Sequence, residues 1–120
     1  MTAAEETRAT VLGYFNAWTT NKTDEAYAFL ADDLAFWGPT ASYTSAAEFC
    51  PALIRFASMT TRAQISKLLV EGDWAAMYYD CELPAPIGTI KIASFFRVEG
   101  HKIRQYETMF DATAFPRAQA

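Results

Sequence analysis

The side chains of this chain that could do chemistry are mostly hydroxyl groups set among apolar residues. Tyr14 lies on the apolar side of a predicted helix, and Ser94 lies between Ile92 and Phe96 in a predicted strand. A buried hydroxyl can donate a hydrogen bond to an oxygen atom of a bound molecule and so polarise it. A core tyrosine, however, needs only one partner for its hydroxyl, and a buried serine can bond to the backbone. The sequence leaves both interpretations open.

Aromatic side chains with polar tips are more numerous here than packing alone requires. The chain has 3 Trp, 6 Tyr and 9 Phe, and aromatic residues make up 15% of it. Ligand pockets are lined mostly by apolar and aromatic side chains with a few polar groups, so some of these residues are expected to line a pocket. Any single one could instead be ordinary core. The candidate ligand-binding residues are Tyr14, Trp18, Trp37, Tyr79, Ser94, Phe96, Tyr106, Thr108 and Phe110.

The positions of the charged residues assign none of them a catalytic or metal-binding role. Asp80 and Glu82 share the outward parity of one strand, where solvent or a partner subunit would face them. Asp111 follows the last strand, where it could cap a turn or, if the strand is bulged, reach the mouth of a pocket. His101 is the single histidine and falls in a predicted turn, without carboxylates at metal-ligand spacing. The sequence predicts no metal site and identifies no general base.

The clearest structural signal is a hairpin near the C-terminus. Residues 89–99 alternate with a period of two, and successive side chains of a strand point to opposite faces. Gly100 and His101 then supply a turn, since glycine takes a positive φ without a Cβ clash. Residues 102–111 form the second strand, but both of its faces are mixed, so parity does not say which one points inward. The predicted inner set of the first strand is Ile90, Ile92, Ser94, Phe96 and Val98.

Three helices are predicted in the first half of the chain. Residues 5–20 carry apolar side chains at helical spacing and form a long amphipathic helix. Thr23 is placed to cap a second helix over residues 23–30, and Ser45 begins a capping box that opens a third. Pro51 falls inside the third helix, where it predicts a kink or a restart. The predicted apolar residues of that helix are Leu53, Ile54 and Phe56.

Strands dominate the second half. A short strand is predicted at residues 34–37, and long strands at residues 62–70 and 74–83 precede the hairpin. Three helices followed by four long strands indicate an α+β domain with an antiparallel sheet and helices on one side of it. We find no repeat, linker or low-complexity segment, so residues 1–120 are predicted to form a single domain.

Composition narrows the class of protein. The formal net charge of -4 and the sequence pI of about 4.9 argue against a nucleic-acid surface, which needs clustered Lys and Arg. No apolar run approaches the length of a membrane span or resembles a signal segment, so a cytoplasmic protein without a membrane partner is expected. Cys50 and Cys81 lie far apart in apolar surroundings and are interpreted as buried thiols.

The order of these elements resembles that of the SnoaL-like and nuclear-transport-factor-2-like superfamily. The resemblance rests on residues 29–33, on the short strand that ends at Gly38-Pro39, on residues 95–99 and on residues 109–111. It implies a strongly curved sheet wrapped around the long helix as a cystatin-like cone, with a pocket inside and often a homodimer through the outer face of the sheet. Members include polyketide cyclases, ketosteroid isomerases, epoxide hydrolases, dehydratases and proteins without a reaction, so the fold does not supply the function.

The resemblance allows the functional positions of the ketosteroid isomerases to be compared one by one with residues of this sequence. Tyr14 falls where those enzymes keep a tyrosine that stabilises an oxyanion. Their general base, just before the proline that ends the short strand, falls on Gly38, which has no side chain to accept a proton. Their second oxyanion donor, a protonated aspartate, falls on Ser94. Two of three functional positions have therefore changed, which makes steroid isomerisation an improbable function.

Two functions from different classes remain. The first is a domain that binds a small apolar ligand and has no identifiable general base. The alternative is a cofactor-free isomerase, cyclase or dehydratase acting on a small apolar substrate whose oxygen atom is polarised by Tyr14 and Ser94. In either case we expect no cofactor. Outward-facing Tyr78, Phe95 and Met109 also predict a two-fold homodimer through the sheet, because large exposed apolar patches usually mark partner surfaces.

Overall fold

The computed structural model describes residues 2–115 of the chain. Within them the helices come first and the long strands follow, as predicted. The elements in chain order are α1 (Ala3–Thr19), α2 (Thr23–Tyr27), β1 (Leu30–Trp37), β2 (Ser42–Tyr43), α3 (Ala46–Met59), β3 (Arg62–Glu71), β4 (Trp74–Glu82), β5 (Thr89–Glu99), β6 (Lys102–Met109) and a 3₁₀ helix (Ala112–Ala114).

The strands form one curved six-stranded sheet in the order β2-β1-β6-β5-β4-β3. β3 to β6 are joined as consecutive antiparallel neighbours, whereas β1 pairs with β6 in parallel. This places the first strand of the chain beside the last. The predicted α+β class is confirmed, and within residues 2–115 the parallel pairing of β1 with β6 departs from the expected antiparallel sheet.

α1 lies against the inner face of the sheet and contacts β3, β4, β5 and β6. Its start is fixed by a capping box, in which Thr2 accepts a hydrogen bond from the Glu5 amide and the Glu5 carboxylate accepts one from the Thr2 amide. Thr7 also donates a 2.8 Å hydrogen bond to the Gly72 carbonyl in the β3–β4 turn. The buried stripe that faces the sheet consists of Val11, Tyr14, Phe15 and Trp18.

The predicted register of β5 is confirmed. Its burial alternates along the whole strand, and the five residues of the predicted inner set are all buried. The β5–β6 turn is built as expected, because Gly100 and His101 have φ values of 61° and 62°. A bulge between Arg97 and Val98 leaves Arg104 without a partner, so Ile103 and Tyr106 both point inward despite their opposite parity. That bulge explains why β6 has no clean alternation.

The second helix and the first strand differ from the prediction. α2 ends at Tyr27, and no side chain caps it, since Lys22 rather than Thr23 occupies the N-cap position. β1 begins at Leu30, four residues earlier than expected, because Leu30 pairs with Ile103 of β6. This long-range pairing outweighs the local helical pattern.

α3 is a single helix through Pro51 and does not restart there. Its predicted cap is confirmed, since Ser45 accepts a 3.1 Å hydrogen bond from the Glu48 amide. The buried residues recur at helical spacing on both sides of the proline, so packing against the sheet holds the helix together. Ile54 was expected on this face but is 47% exposed. The buried face consists of Ala46, Phe49, Leu53 and Ala57.

The two cysteines only partly match the prediction. Cys81 is a buried thiol, and its sulfur lies 3.4 Å from the Thr60 hydroxyl oxygen. Burial raises its pKa, which keeps the thiol protonated. Cys50 is half-buried on α3, one residue from the face that packs against the sheet. Neither forms a disulfide within residues 2–115.

Candidate functional site

A cavity of about 330 Å³ lies between α1, α3 and the inner face of the sheet. Its volume falls near the lower end of the range of about 300–1,000 Å³ that is usual for ligand pockets. α1 contributes Trp18, the sheet contributes side chains from β1, β4, β5 and β6, and α3 forms the opposite wall. The aromatic side chains that line it are Trp18, Phe36, Tyr43, Phe49, Phe56, Tyr79, Tyr106, Phe110 and Phe115.

Burial distinguishes a closed end of the cavity from its mouth. The buried lining residues are Trp18, Gly38, Phe49, Leu53, Tyr79, Ile92, Tyr106 and Thr108, and we call the part of the wall formed by Trp18, Tyr79, Tyr106 and Thr108 the closed end. The exposed lining residues mark the mouth, and they come from the β1–β2 loop and from the last two turns of α3. These exposed residues are Pro39, Thr40, Arg55 and Met59.

Two pairs of hydroxyl groups are hydrogen-bonded at the closed end. The Tyr14 hydroxyl donates to the Tyr106 hydroxyl at 3.1 Å, and the Ser94 and Thr108 hydroxyls share a 2.6 Å hydrogen bond. Because Tyr106 accepts from Tyr14, its own hydrogen stays available for another acceptor. Tyr79 adds a further hydroxyl at the wall, hydrogen-bonded with the Ser94 side chain. Tyr79 and Tyr106 both line the cavity, and a tyrosine hydroxyl can donate one hydrogen bond to a bound molecule.

All three tyrosines at this end remain neutral at physiological pH. Burial raises the pKa of Tyr14 and of Tyr79 well above the usual value of 10.0. Burial also raises the pKa of Tyr106 to about 12, although hydrogen bonds from Tyr14 and Thr108 favour the ionised form and oppose the rise. These hydroxyls can donate hydrogen bonds, but they are poor proton acceptors near neutral pH.

The structure brings five of the nine candidate residues to the cavity wall: Trp18, Tyr79, Tyr106, Thr108 and Phe110. Tyr14, Ser94 and Phe96 are buried behind that wall. Tyr14 reaches the cavity indirectly through its hydrogen bond to Tyr106, and the Phe96 ring packs 4.7 Å from the Tyr106 ring. Whether the five lining residues bind a ligand remains a prediction.

Trp37 was wrongly placed among the lining residues. Neighbouring positions of β1 alternate between the two faces of the sheet, and Phe36 is the one that points inward. The Phe36 ring stacks 4.4 Å from the Phe49 ring and forms part of the wall. Trp37 consequently points to the outer face, where it is 49% exposed.

The α3 wall was missed in the sequence, although a signal for it exists. Phe49, Leu53 and Phe56 lie at i, i+4 and i+7, which is the spacing of one helical face. All three line the cavity. Phe115, which follows the 3₁₀ helix, also lines it and packs 5.2 Å from Phe110. For Phe115 no sequence pattern points to the cavity.

No carboxylate or histidine lines the cavity within the described part of the chain. Gly38, the position to which the resemblance assigns the general base, does lie in the wall, and its amide donates a 3.0 Å hydrogen bond to the Ala41 carbonyl. A Cβ atom added there would lie 3.0 Å from the Phe36 ring. The base position therefore faces the cavity but supplies no functional group.

The other acidic candidates are used elsewhere. Asp111 caps the 3₁₀ helix by accepting hydrogen bonds from the Thr113 amide and hydroxyl, and this bonding lowers its pKa. Asp80 pairs with Lys91 at 2.8 Å, and Glu82 pairs with an arginine of β3 at 3.4 Å. These ion pairs lie on the outer face of the sheet, as expected. Exposed pairs of this kind contribute about 0–1 kcal/mol to stability.

A second, more open depression of about 360 Å³ beside β1 and β6 is lined mostly by charged residues. Arg104 bridges it, with its guanidinium 3.3 Å from Asp33 and 2.9 Å from Glu99. The Lys102 ammonium donates to the Ala28 carbonyl at 2.6 Å. Both cationic groups of this depression are therefore engaged with neighbouring oxygen atoms, so we take the apolar cavity as the candidate site.

No group of three or more His, Cys, Asp or Glu side chains within residues 2–115 is arranged to hold a metal ion. No helix in that range has the length and apolar character needed to cross a membrane.

Comparison with known families agrees with this architecture. Residues 11–106 match the SnoaL-like domain, which is four fifths of the chain. The chain belongs to the SnoaL-like domain family. The match covers α1 from Val11 onward, all of α3, the strands β1 to β5, and β6 as far as Tyr106 of this SnoaL-like domain. No curated protein sequence matches it significantly.

Solved structures share the fold of the SnoaL-like domain at low identity. A protein from Kribbella flavida is 24% identical with a TM-score of 0.85, and the match covers 89% of this chain and 88% of that one. A candidate ketosteroid isomerase from the same organism is 22% identical, with a TM-score of 0.78 and coverages of 92% and 82%. An epoxide hydrolase from M. tuberculosis is 17% identical, with a TM-score of 0.77 and coverages of 92% and 86%. NTF2-like proteins have the same fold.

Proposed function

We propose that this SnoaL-like domain binds a small, mostly apolar molecule and hydrogen-bonds one of its oxygen atoms at the closed end of the cavity. The observation that carries the proposal is the Tyr106 hydroxyl, which accepts from Tyr14 and keeps its own hydrogen for a further acceptor. Tyr79 provides a second donor on the same part of the wall. Aromatic walls supply the apolar contacts, and the few buried hydroxyls fix the orientation of the ligand.

The hydrogen bond between Tyr14 and Tyr106 supports this proposal. When one hydroxyl donates to another, the second becomes a better donor because hydrogen bonds in a chain polarise one another. Tyr14 therefore acts on the ligand through Tyr106 rather than by direct contact. A ligand without an acceptor oxygen would leave the Tyr106 hydrogen unpaired in an apolar cavity, which is unfavourable.

The alternative function, a cofactor-free isomerase, cyclase or dehydratase, receives less support from the cavity wall. Each of these reactions needs a group that lies within reach of the substrate and can accept or transfer a proton. The lining has hydroxyls with raised pKa values and a glycine at the expected base position. Some structural neighbours are described as enzymes, but identities below 25% support a common fold and not a common reaction.

The binding proposal can be tested with two probes that differ in one carbonyl group, acetylnaphthalene and ethylnaphthalene. Equilibrium dialysis of the wild-type protein is expected to give an affinity about two- to tenfold higher for the ketone, because a hydrogen bond contributes about 0.5–1.5 kcal/mol. Failure of both probes to bind would contradict the proposal.

The same ketone tests for catalysis. Its methyl protons exchange with solvent only when a base removes one of them, so proton NMR in deuterium oxide reports general-base chemistry directly. We expect no acceleration of this exchange by the wild-type protein. Acceleration would favour the enzymatic alternative and would show that another residue replaces the base missing at Gly38.

A further inference from the structure

A single charged side chain borders the cavity in the portion of the chain described here. Arg55 lies on α3 among the exposed lining residues of the mouth, one turn before Met59. The remaining lining side chains are apolar, aromatic or hydroxylated. The cavity thus has two polar regions, with neutral hydroxyls at the closed end and one cation at the mouth.

Arg55 has no ionic partner among residues 2–115. Three arginines do have one, since Arg62, Arg97 and Arg104 each pair with a carboxylate at 2.9–3.4 Å. The helical neighbours of Arg55 at i±3 and i±4 are Pro51, Ala52, Ser58 and Met59, and none carries a charge. The fifth described arginine, Arg8, is also unpaired, but it is exposed on α1 and does not border the cavity.

A cation in this position suits an anionic ligand. A guanidinium presents a planar set of donors that matches a carboxylate, and this geometry favours carboxylates over neutral polar groups. An anion at the mouth keeps part of its hydration, so it avoids the large desolvation cost of a buried charge. An apolar body that fills the aromatic cavity would then leave its charged end beside Arg55.

We propose that the ligand is an apolar carboxylate, bound with its body in the aromatic cavity and its carboxylate paired with Arg55 at the mouth. This inference rests on the proposed function. It adds a negatively charged group to the proposed ligand and places that group at the mouth of the cavity. Arg55 then determines specificity without taking part in any reaction. The structural alternative is that the methylene stem of Arg55 covers apolar surface and its charge has no role.

Naphthaleneacetate and naphthaleneacetamide test the inference, because they share ring and linker and differ in charge. Equilibrium dialysis at low ionic strength is expected to give wild-type protein an affinity about two- to fivefold higher for the acetate, the size of an exposed ion pair. The Arg55→Gln variant should lose this preference while still binding the amide. The matched control Arg8→Gln removes an unpaired arginine far from the cavity and should keep the preference. Added salt should weaken the wild-type preference.

The outcomes separate the two proposals. If both probes bind the wild type equally, or if Arg55→Gln keeps the preference, the carboxylate inference is wrong while binding of apolar molecules stands. If neither probe binds any of the three proteins, both proposals are contradicted. Arg55→Lys, which retains a cation but not the planar donors, should restore part of the preference if charge pairing is the cause.

Discussion

The two faces of one sheet have different chemistry, although both are built from the same strands. On the inner face of β4 to β6, apolar and hydroxyl side chains are buried against α1 or line the cavity. On the outer face, Tyr78, Phe95 and Met109 are each about two fifths exposed beside ion pairs such as Lys91–Asp80. Alternation along each strand allows one face to form a ligand site and the other to remain available for a partner.

Several large apolar side chains of the outer face are exposed, among them Trp37, Leu69 and Phe95. The strand register aligns Trp37, Phe95 and Leu69 in one row across the sheet, separated by Glu107 and Ala76. Large apolar groups in a contiguous patch usually mark an interaction surface. We therefore propose a two-fold homodimer through this face, in which each patch covers its copy on the partner.

The largest expected effect contrasts two adjacent phenylalanines of β5. Phe96→Ala should reduce the free energy of unfolding by about 3–5 kcal/mol, because it opens a cavity beside Tyr14 and Tyr106. Phe95→Ala, at 40% exposure, should cost the monomer less than about 1 kcal/mol. Urea denaturation at low protein concentration measures both. If Phe96→Ala does not fold, Phe96→Leu should still destabilise more than Phe95→Leu. Equal losses at the two sites would contradict the expected difference between the inner and outer faces.

The buried tyrosines of the inner face should make the free energy of unfolding decrease at alkaline pH. The folded-state pKa of Tyr106 is raised from 10.0 to about 12 by burial, so its contribution is fully present below pH 10 and is lost as pH rises toward 12. Two pKa units correspond to a loss of about 3 kcal/mol. Urea denaturation between pH 9 and pH 11.5 measures the slope of this loss.

Two variants assign that slope to one face. Tyr106→Phe removes one of three buried tyrosines with raised pKa values, so it should reduce the slope without abolishing it, because Tyr14 and Tyr79 remain. Phe95→Leu, on the outer face, removes no titrating group and should leave the slope unchanged. The opposite result would show that burial on the inner face does not control the titration.

The proposed homodimer can be tested with a substitution on the outer face. Phe95→Asp places a charge in the proposed dimer interface and should raise the dissociation constant at least about tenfold, equivalent to about 1.4 kcal/mol. Asn16→Asp on the exposed side of α1 adds the same charge away from the sheet and serves as the control. Sedimentation velocity at micromolar concentration compares the three proteins. A monomeric wild type would contradict the dimer proposal.

The smallest effect concerns the hydroxyls of the closed end. Tyr106→Phe should keep the fold but weaken acetylnaphthalene binding by about 0.5–1.5 kcal/mol, because the ketone oxygen loses its donor. Tyr14→Phe should have a smaller effect, since Tyr14 acts through Tyr106. Tyr78→Phe on the outer face is the matched control and should leave affinity unchanged. Equal affinities in all four proteins would show that the inner hydroxyls serve packing alone.

Local pattern in the sequence was sufficient for most of the fold. The alternation of β5, the turn at Gly100 and the cap at Ser45 are each determined by a few neighbouring residues, and the structure has all three. Local rules were insufficient where a distant strand decides the outcome. β1 begins at Leu30 because Ile103 is its partner, and the bulge opposite Arg97 sets the inward face of β6.

The candidate site follows the same division. Hydrophobic periodicity shows which side of an element is buried, so the sequence was enough to place aromatic rings and hydroxyls on inward faces. Which of these side chains border empty space depends on tertiary packing. Tyr14 and Phe96 are as buried as Tyr106, yet they lie behind the wall, while Phe36 and Arg55 lie on it. Burial is a property of single residues, whereas a cavity is the gap left between α1, α3 and the sheet, and its shape depends on how those elements pack together.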